Sequence, residues 1–434
     1  MRRLAKILFI LVLVFIGGFG PEATERSTSV SDMLVPANLR LTNEMSEIHE
    51  FEGFDRVMKY FLKRWDIVGA SVAVAKEGKL IYAKGFGYTD STLHQPVEPY
   101  HRFRIASISK LITAVAIMKL NEEGKLSVND RVFGVDGILN DPFYANPKDK
   151  RVYGITVAHL LSHEGGWTTR WGDQMFMPHI VAASLGVSLP VDTKSIVRFA
   201  LNRNLHFTPG TGRSYSNLGY AILGLVIEKV TGMPYSEYCR KYILEPCGIY
   251  DMMLAKNMPE NKAPWEVSYY EPPDAVMKPS VYGTGDTLHA SYGGNDIEAL
   301  GAAGAWIATT PDLVKFVLKI DGADDVKDIL SEESVDFMTN SARGYAPVGW
   351  KATVGNGTWW RTGSFPGTAG MLKKEPDGTV WAILLNTSSW NGPEISTEIS
   401  YYMARALAQV RKWPDRDLFA SQIQAPLSVD LNSN

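Results

Sequence analysis

The sequence predicts a mixed fold of the α/β (α+β) class: an antiparallel sheet assembled from both ends of the chain and flanked by helices, with a mostly helical domain inserted. Three observations predict it. Strand patterns lie early, over Gly69–Ala75 and Leu80–Lys84; they return late, between Trp350 and Leu385; and the stretch from Ile105 to about Leu330 carries helical patterns joined by loops. Short strands at either end cannot bury an apolar face alone, so they are expected to share one sheet, with the helical stretch as an insertion.

In chain order, Met-Arg-Arg-Leu-Ala-Lys is followed by ten apolar residues from Ile7 to Ile16, the charged start and short greasy run of an export signal over residues 1–20. Ten residues fall short of the roughly 20 a spanning helix needs, so no stable membrane span is expected after signal cleavage, and the expected location is periplasmic or secreted. No Cys follows the run to carry a lipid anchor. Residues 21–45, polar and rich in Ser and Thr, read as a linker, 46–412 as one folded domain and 413–434 as a C-terminal tail.

Within the domain, Phe54, Val57, Met58, Phe61 and Leu62 recur at helical period, predicting a helix over Phe54–Trp65. The two early strands flank Lys76-Glu-Gly-Lys79 and read as an antiparallel hairpin. Helices are predicted over Ser107–Glu123, Val157–Ser162, Thr193–Leu201, Asn217–Thr231, Tyr235–Leu244 and Pro311–Lys319, forming a lobe over about 105–330. Strands follow over Trp350–Val354, Thr358–Thr362, Met371–Glu375 and Thr379–Leu385, short aromatic or β-branched runs punctuated by the turn Pro376-Asp-Gly378. A final helix over Glu394–Val410 stops at Pro414. Long connections at 164–190 and 257–300 are rich in Trp, Met, Tyr, Pro and Gly, and loops of such length are more often functional than idle.

Composition narrows the function classes. With 434 residues, 45% hydrophobic and 21% charged, the chain is ordinary globular protein. Its 44 Lys and Arg against 47 Asp and Glu give −3, leaving no basic field for a nucleic acid. Cys239 and Cys247 would lie about 12 Å apart along a helix, although Pro246 can end that helix and let them approach. A disulfide and two buried thiols both remain open, and neither points to catalysis or metal binding. Gly-x-Ser-x-Gly, the phosphate-binding Gly-x-x-x-x-Gly-Lys, His-Glu-x-x-His and Cys pairs at metal spacing are all missing, so no metal and no cofactor is expected.

Three clusters carry chemistry instead. Ser107-Ile-Ser-Lys110 stands where a loop enters an amphipathic helix bearing Leu111, Ala114, Ile117 and Met118. About two such strings are expected by chance, so its placement matters more than its letters. Residues three apart share a helical face, and a buried lysine loses its proton near neutral pH and can take the proton of Ser107. Free N–H groups of the first turn can polarise a carbonyl. The second cluster, Pro209-Gly-Thr-Gly-Arg-Ser-Tyr215-Ser-Asn217, delivers a phenol suited to proton relay and an amide suited to holding Lys110 or a substrate amide. Tyr144-Ala-Asn146 has the same spacing, but no helix follows it, and Tyr144 reads as a loop aromatic. The third, Trp360-Arg361-Thr362-Gly363-Ser364, ends a strand. There Gly363 permits close approach, Thr362 and Ser364 border the expected substrate path, and the Ser364 N–H suits an oxyanion.

With the clusters in this order, the chain resembles the serine β-lactamase and penicillin-binding protein superfamily, in particular the class C-like branch that includes D,D-peptidases, D-aminopeptidases and family VIII esterases. Val68-Gly-Ala-Ser-Val-Ala-Val, Phe103-Arg-Ile-Ala-Ser-Ile-Ser-Lys, Ile155-Thr-Val-Ala-His-Leu-Leu-Ser-His-Glu-Gly-Gly and Glu245-Pro-Cys-Gly-Ile also fall in family order, so the likeness spans about residues 50–410. It implies Ser107 as acylated nucleophile, Lys110 as its base, Tyr215 as relay to the leaving group, Asn217 as a positioning residue, and the Ser107 and Ser364 N–H groups as oxyanion donors. The implied fold is the β-lactamase/transpeptidase-like one. The implied activity is acyl hydrolysis of an ester, amide or D-amino-acid peptide; acyl transfer to an alcohol or amine, β-lactam hydrolysis and a sensor that acylates without turnover are the alternatives. The expected partner is thus a small-molecule or peptide substrate, and the sequence gives no oligomeric state.

One departure stands out. Position 361 is Lys in the β-lactamases of this branch and often His in its esterases, but Arg here. Guanidinium does not exchange protons at working pH, so Arg361 is expected to anchor a substrate carboxylate or to support the oxyanion. Trp167, Trp171, Tyr282 and Tyr292, from the two long loops, are the expected pocket walls.

Overall fold

The computed structural model describes residues 40–340, 347–388 and 394–423. The expected export signal, the linker as far as residue 39 and the tail from residue 424 lie outside the described residues. Strands in chain order are β1 (Gly69–Lys76), β2 (Lys79–Asp90), β3 (Gln95–Pro96), β4 (Phe103–Arg104), β5 (Met253–Leu254) and β6 (Lys278–Pro279). Then come β7 (Thr287–Leu288), β8 (Trp306–Ala308), β9 (Ala352–Val354), β10 (Thr358–Phe365), β11 (Thr368–Lys374) and β12 (Val380–Leu385).

Seven of them form one sheet in the order β3-β2-β1-β12-β11-β10-β9, every neighbour antiparallel. The first and last parts of the chain join at the β1–β12 pair, where Ala70 faces Leu385 and Ala75 faces Val380. Alternation along β1 explains why it sits centrally. Ala70, Val72 and Val74 enter the core on one face and Ala73 and Ala75 the core on the other. β12 alternates likewise, with Trp381, Ile383 and Leu385 on the first face and Val380, Ala382 and Leu384 on the second.

The helices are α1 (Glu52–Arg64), α2 (Ser109–Glu122), α3 (Val157–Leu161), α4 (Pro178–Leu185), α5 (Thr193–Leu201) and α6 (Asn217–Thr231). They continue with α7 (Tyr235–Cys239), α8 (Ile297–Leu300), α9 (Thr310–Val317), α10 (Glu332–Thr339), α11 (Ile395–Leu407) and α12 (Leu418–Ile423). α1 and α11 cover the outer face of the sheet, burying Phe54, Met58 and Phe61 from one and Ile399, Met403 and Ala406 from the other. Behind the sheet, α2 is enclosed on all sides from Ser109 to Met118, so it is a core helix and not the amphipathic one its pattern suggested. α6 begins where the Ser216 hydroxyl accepts from the Gly219 N–H and ends at left-handed Gly232.

Several boundaries move. Ser107 lies in a 3-10 turn over Ala106–Ile108, ahead of α2. The predicted helix 235–244 is α-helical to Cys239 and then a π turn over Arg240–Leu244. The 164–190 connection holds α4 and a 3-10 turn over Gln174–Phe176, both too short to show a period. α9 rests on the sheet, with Ser71 and Thr310 hydroxyls 2.7 Å apart, so the helical insert closes before residue 310 and not near 330.

The domain also reaches further at both ends than expected. Leu41 is buried, and Asn43 donates to the Val97 carbonyl while accepting from the Gly85 N–H, so the linker stops short of residue 41. In the expected tail, Asp417 accepts from the Leu80 N–H and Leu418 is buried. Cys239 and Cys247 are separate buried thiols and do not pair. Burial pushes both thiols up, Cys247 to about 12.

Candidate active site

The nucleophile turn is set by its neighbours. β4 pairs with β8, and the Ile105 N–H donates to the Trp306 carbonyl at 3.0 Å, fixing where the chain leaves the strand. Ala106 then takes φ +46°, a left-handed conformation that costs a residue with a Cβ of order 1 kcal/mol or more, and such strain clusters at functional sites. Its effect is to turn Ser107 out of the core one residue before the helical run.

Lys110 follows three residues later and is fully buried. Its amine donates to Ser107 Oγ at 3.2 Å, to Asn217 Oδ1 at 2.7 Å and to the Ala303 carbonyl at 2.5 Å. Desolvation disfavours the ammonium, and this outweighs the other influences to bring Lys110 from its ordinary value down to about 8. The turn before α6 supplies Tyr215, whose phenol oxygen lies 2.6 Å from Ser107 Oγ. Burial of that oxygen alone would raise the phenol, but the Lys110 and Arg361 charges oppose it and hold Tyr215 at about 8. Lys110 and Tyr215 therefore titrate in one range and act as a pair.

The third side of the site comes from the returning sheet. Arg361 is buried on β10, donating through Nε to the Ser107 carbonyl at 2.8 Å and through a terminal nitrogen to the Tyr215 oxygen at 3.2 Å. Of the two expected roles, this geometry suits electrostatic support, since two of its donor directions are already committed inside the site. Gly363 lies against the nucleophile turn: a Cβ there would stand 2.1 Å from the Ile105 carbonyl oxygen. β9 pairs with Thr358, Trp359 and Trp360, and among the described residues no strand pairs with the outer edge of β10 beyond them. Trp360 offers its carbonyl to that edge, and alternation places the backbone groups of Thr362 and Ser364 there as well, beside Ser107.

Above these groups opens a cleft of about 580 Å³ whose lining includes Ser107, Tyr215, Asn217, Arg361, Thr362 and Ser364. All eight sequence-predicted site residues thus converge. The expected walls do not. Trp167 is buried outside the cleft, Trp171 is 71% exposed beside a different hollow, and neither Tyr282 nor Tyr292 lines it. Tyr292 instead accepts from the Tyr269 N–H on its hydroxyl oxygen at 2.7 Å, within the 257–300 loop. The walls are Phe176, Leu300, Trp350 and Phe365, and Arg213 and Lys351 bring further positive charge. The rival Tyr144 packs against Phe133 and Phe143, away from Ser107.

Sequence reasoning missed two polar residues. His163 packs on the Tyr215 ring at 4.7 Å and accepts from the Ser216 N–H through Nδ1; desolvation, then the Arg361 and Lys110 charges, hold it well below its ordinary value, so it is neutral. It lies in the Ser162-His163-Glu164 segment already noted, which was the available signal. Asp173 accepts from Asn217 Nδ2 at 2.7 Å, and nothing in its neighbouring letters announces that. Among the described residues no group of three or more His, Cys, Asp or Glu is placed to hold a metal ion, and no helix is long and apolar enough to cross a membrane.

The chain is similar to proteins of known fold. The protein flp of Staphylococcus aureus strain MW2 is 29% identical over 208 residues, which are 48% of this chain and 38% of that protein. The matched region is thus well under half the length of that curated relative. The octameric penicillin-binding protein homologue from Pyrococcus abyssi superposes with a TM-score of 0.61 at 27% identity, covering 82% of this chain and 76% of that one. The D-amino acid amidase from Ochrobactrum anthropi SV3 superposes with a TM-score of 0.63 at 20% identity over 84% of this chain and 99% of that one, a likeness of fold. The Beta-lactamase family model matches residues 54–401, and the chain therefore belongs to the β-lactamase family, with the fold shared by β-lactamases and transpeptidases.

Proposed function

We propose that the protein is an exported serine acyl-hydrolase that passes through an acyl-Ser107 intermediate on an ester, amide or D-amino-acid peptide. The observation that carries this reading is the contact of Ser107 Oγ with both the Tyr215 oxygen, at 2.6 Å, and the Lys110 amine, at 3.2 Å, at the floor of an open cleft. When the Lys110–Tyr215 pair has lost one proton, it accepts the Ser107 proton as Oγ attacks the substrate carbonyl. The Ser107 and Ser364 N–H groups receive the oxyanion, and Arg361 offsets its charge from behind Tyr215. Tyr215 then returns a proton to the leaving alcohol or amine. Water then attacks the acyl carbonyl and gives one proton to the pair, which returns it to Ser107 Oγ as the acyl–Oγ bond breaks and the acid leaves.

Export rests on the apolar run Ile7–Ile16 behind Arg2, Arg3 and Lys6. The reaction is tested with p-nitrophenyl acetate and butyrate, nitrocefin and a fluorophosphonate probe. The wild type is expected to turn over the esters and to be labelled, and Ser107→Ala to do neither. Equal labelling of both proteins would remove Ser107 as nucleophile, and rapid nitrocefin loss without ester turnover would shift the reading to a β-lactamase.

A further inference from the structure

On the reading that Lys110 serves acylation of Ser107, we propose that Asp173 is a positioning residue of the site, which fixes the Asn217 amide with its oxygen toward Lys110 and supports that lysine electrostatically. The primary amide of Asn217 has two ends of similar shape and opposite hydrogen-bonding character. Its oxygen receives the Lys110 amine at 2.7 Å and its nitrogen donates to Asp173 Oδ2 at 2.7 Å. An ionised carboxylate only accepts, so Asp173 can hold only the NH2 end, and the flipped amide would set donor against donor at Lys110. Asp173 is itself held, since its Oδ1 accepts from the Met175 N–H at 3.0 Å and begins the turn that carries Phe176 into the cleft wall. The 164–190 connection therefore contributes to the base as well as to the wall.

The groups facing Lys110 come from every side. Ser107 lies on its own turn, Tyr215 and Asn217 at the start of α6, Arg361 on β10, the neutral His163 behind Tyr215, the Tyr220 ring at 5.6 Å and the Ala303 carbonyl above. Burial lowers Lys110, and Arg361 lowers it further; Asp173 acts in the opposite sense, favouring the ammonium. Removing its charge must then lower the Lys110–Tyr215 pair.

The test is the pH profile of ester hydrolysis in the full-length enzyme, with Asp173→Asn and Asp173→Ala. Asp173→Asn keeps an oxygen for Asn217 and removes the charge, so the acid limb of kcat/KM is expected about half to one unit lower, with plateau kcat within about threefold of wild type. Asp173→Ala also frees the amide, and kcat is expected to fall about tenfold or more with KM within about threefold. An unmoved limb in Asp173→Asn, or wild-type kcat in Asp173→Ala, overturns the proposal. Thermal melts accompany both, and if the Ala variant fails to fold, the limb of the isosteric Asn variant decides. Fluorophosphonate labelling separates the two levels: absent labelling of wild-type Ser107 defeats the hydrolase reading, whereas normal labelling with an unmoved limb defeats only the role of Asp173.

Discussion

At the scale of single residues, the proposed reaction depends on a base made usable by burial. Lys110 and Tyr215 both sit at about 8, so kcat/KM is expected to rise with pH through that region as the pair loses its proton, and to fall below it as the proton returns. A stopped assay of p-nitrophenyl butyrate from pH 6 to 9.5 checks the direction. Lys110→Ala and Tyr215→Phe are each expected to lose about 10²-fold or more in kcat, the range for a positioned proton-transfer group. Arg361 permits a sharper forecast. Because it is bonded to the Ser107 carbonyl and Tyr215, Arg361→Ala should slow neutral and carboxylate-bearing esters alike, by about tenfold or more. A loss confined to the carboxylate-bearing ester would restore the anchor role expected from sequence.

At the scale of elements, the placement of β10 against the nucleophile turn is the tightest constraint. Gly363→Ala would force a Cβ to 2.1 Å from a backbone carbonyl, so the strand must shift away from Ser107. The expected result is a soluble protein with kcat reduced about 10²-fold, as befits a displaced oxyanion donor, measurable beside its circular dichroism spectrum. Elements with strong local signals were legible. Helix α5 has the bounds its pattern predicts and an Asp192 cap, and α6 begins and ends where predicted, between a Ser216 cap and Gly232. Short elements were not: α4 and α10 have eight residues each, and their helicity comes from tertiary packing more than from periodicity. The amphipathic reading of α2 failed for a related reason, because being enclosed on all sides is decided by the layers around it and not by the helix's own letters.

At the scale of the whole molecule, one sheet brings together three segments far apart in sequence. Ser107 and Lys110 follow the first strands, Tyr215 and Asn217 come from the insert, and Arg361 returns with β10. The β1–β12 pair closes this arrangement, with Ile383 fully buried in the same apolar cluster as residues of α1 and α11. Ile383→Ala is expected to cost about 2–5 kcal/mol by urea denaturation, as a large-to-small change in a packed core. The three clusters that converge on the cleft were legible as candidates because each joins an unusual residue set to a helix start or a strand end. The pocket walls were not, since an aromatic in a long loop is equally suited to core or cleft until the fold is known: Trp167 went to the core, and Phe176 to the cleft. Asp173 was hidden for the same reason, since its contact with Asn217 exists only once the loop meets α6.

In the proposed reaction Ser107 carries the acyl group, held there by groups from all three segments. Intact-protein and peptide mass spectrometry after rapid quench with p-nitrophenyl butyrate is the decisive measurement. A single butyryl increment is expected on the peptide containing Ser107 and none in Ser107→Ala. Ester turnover retained by Ser107→Ala, or an increment on another residue at full activity, would contradict it.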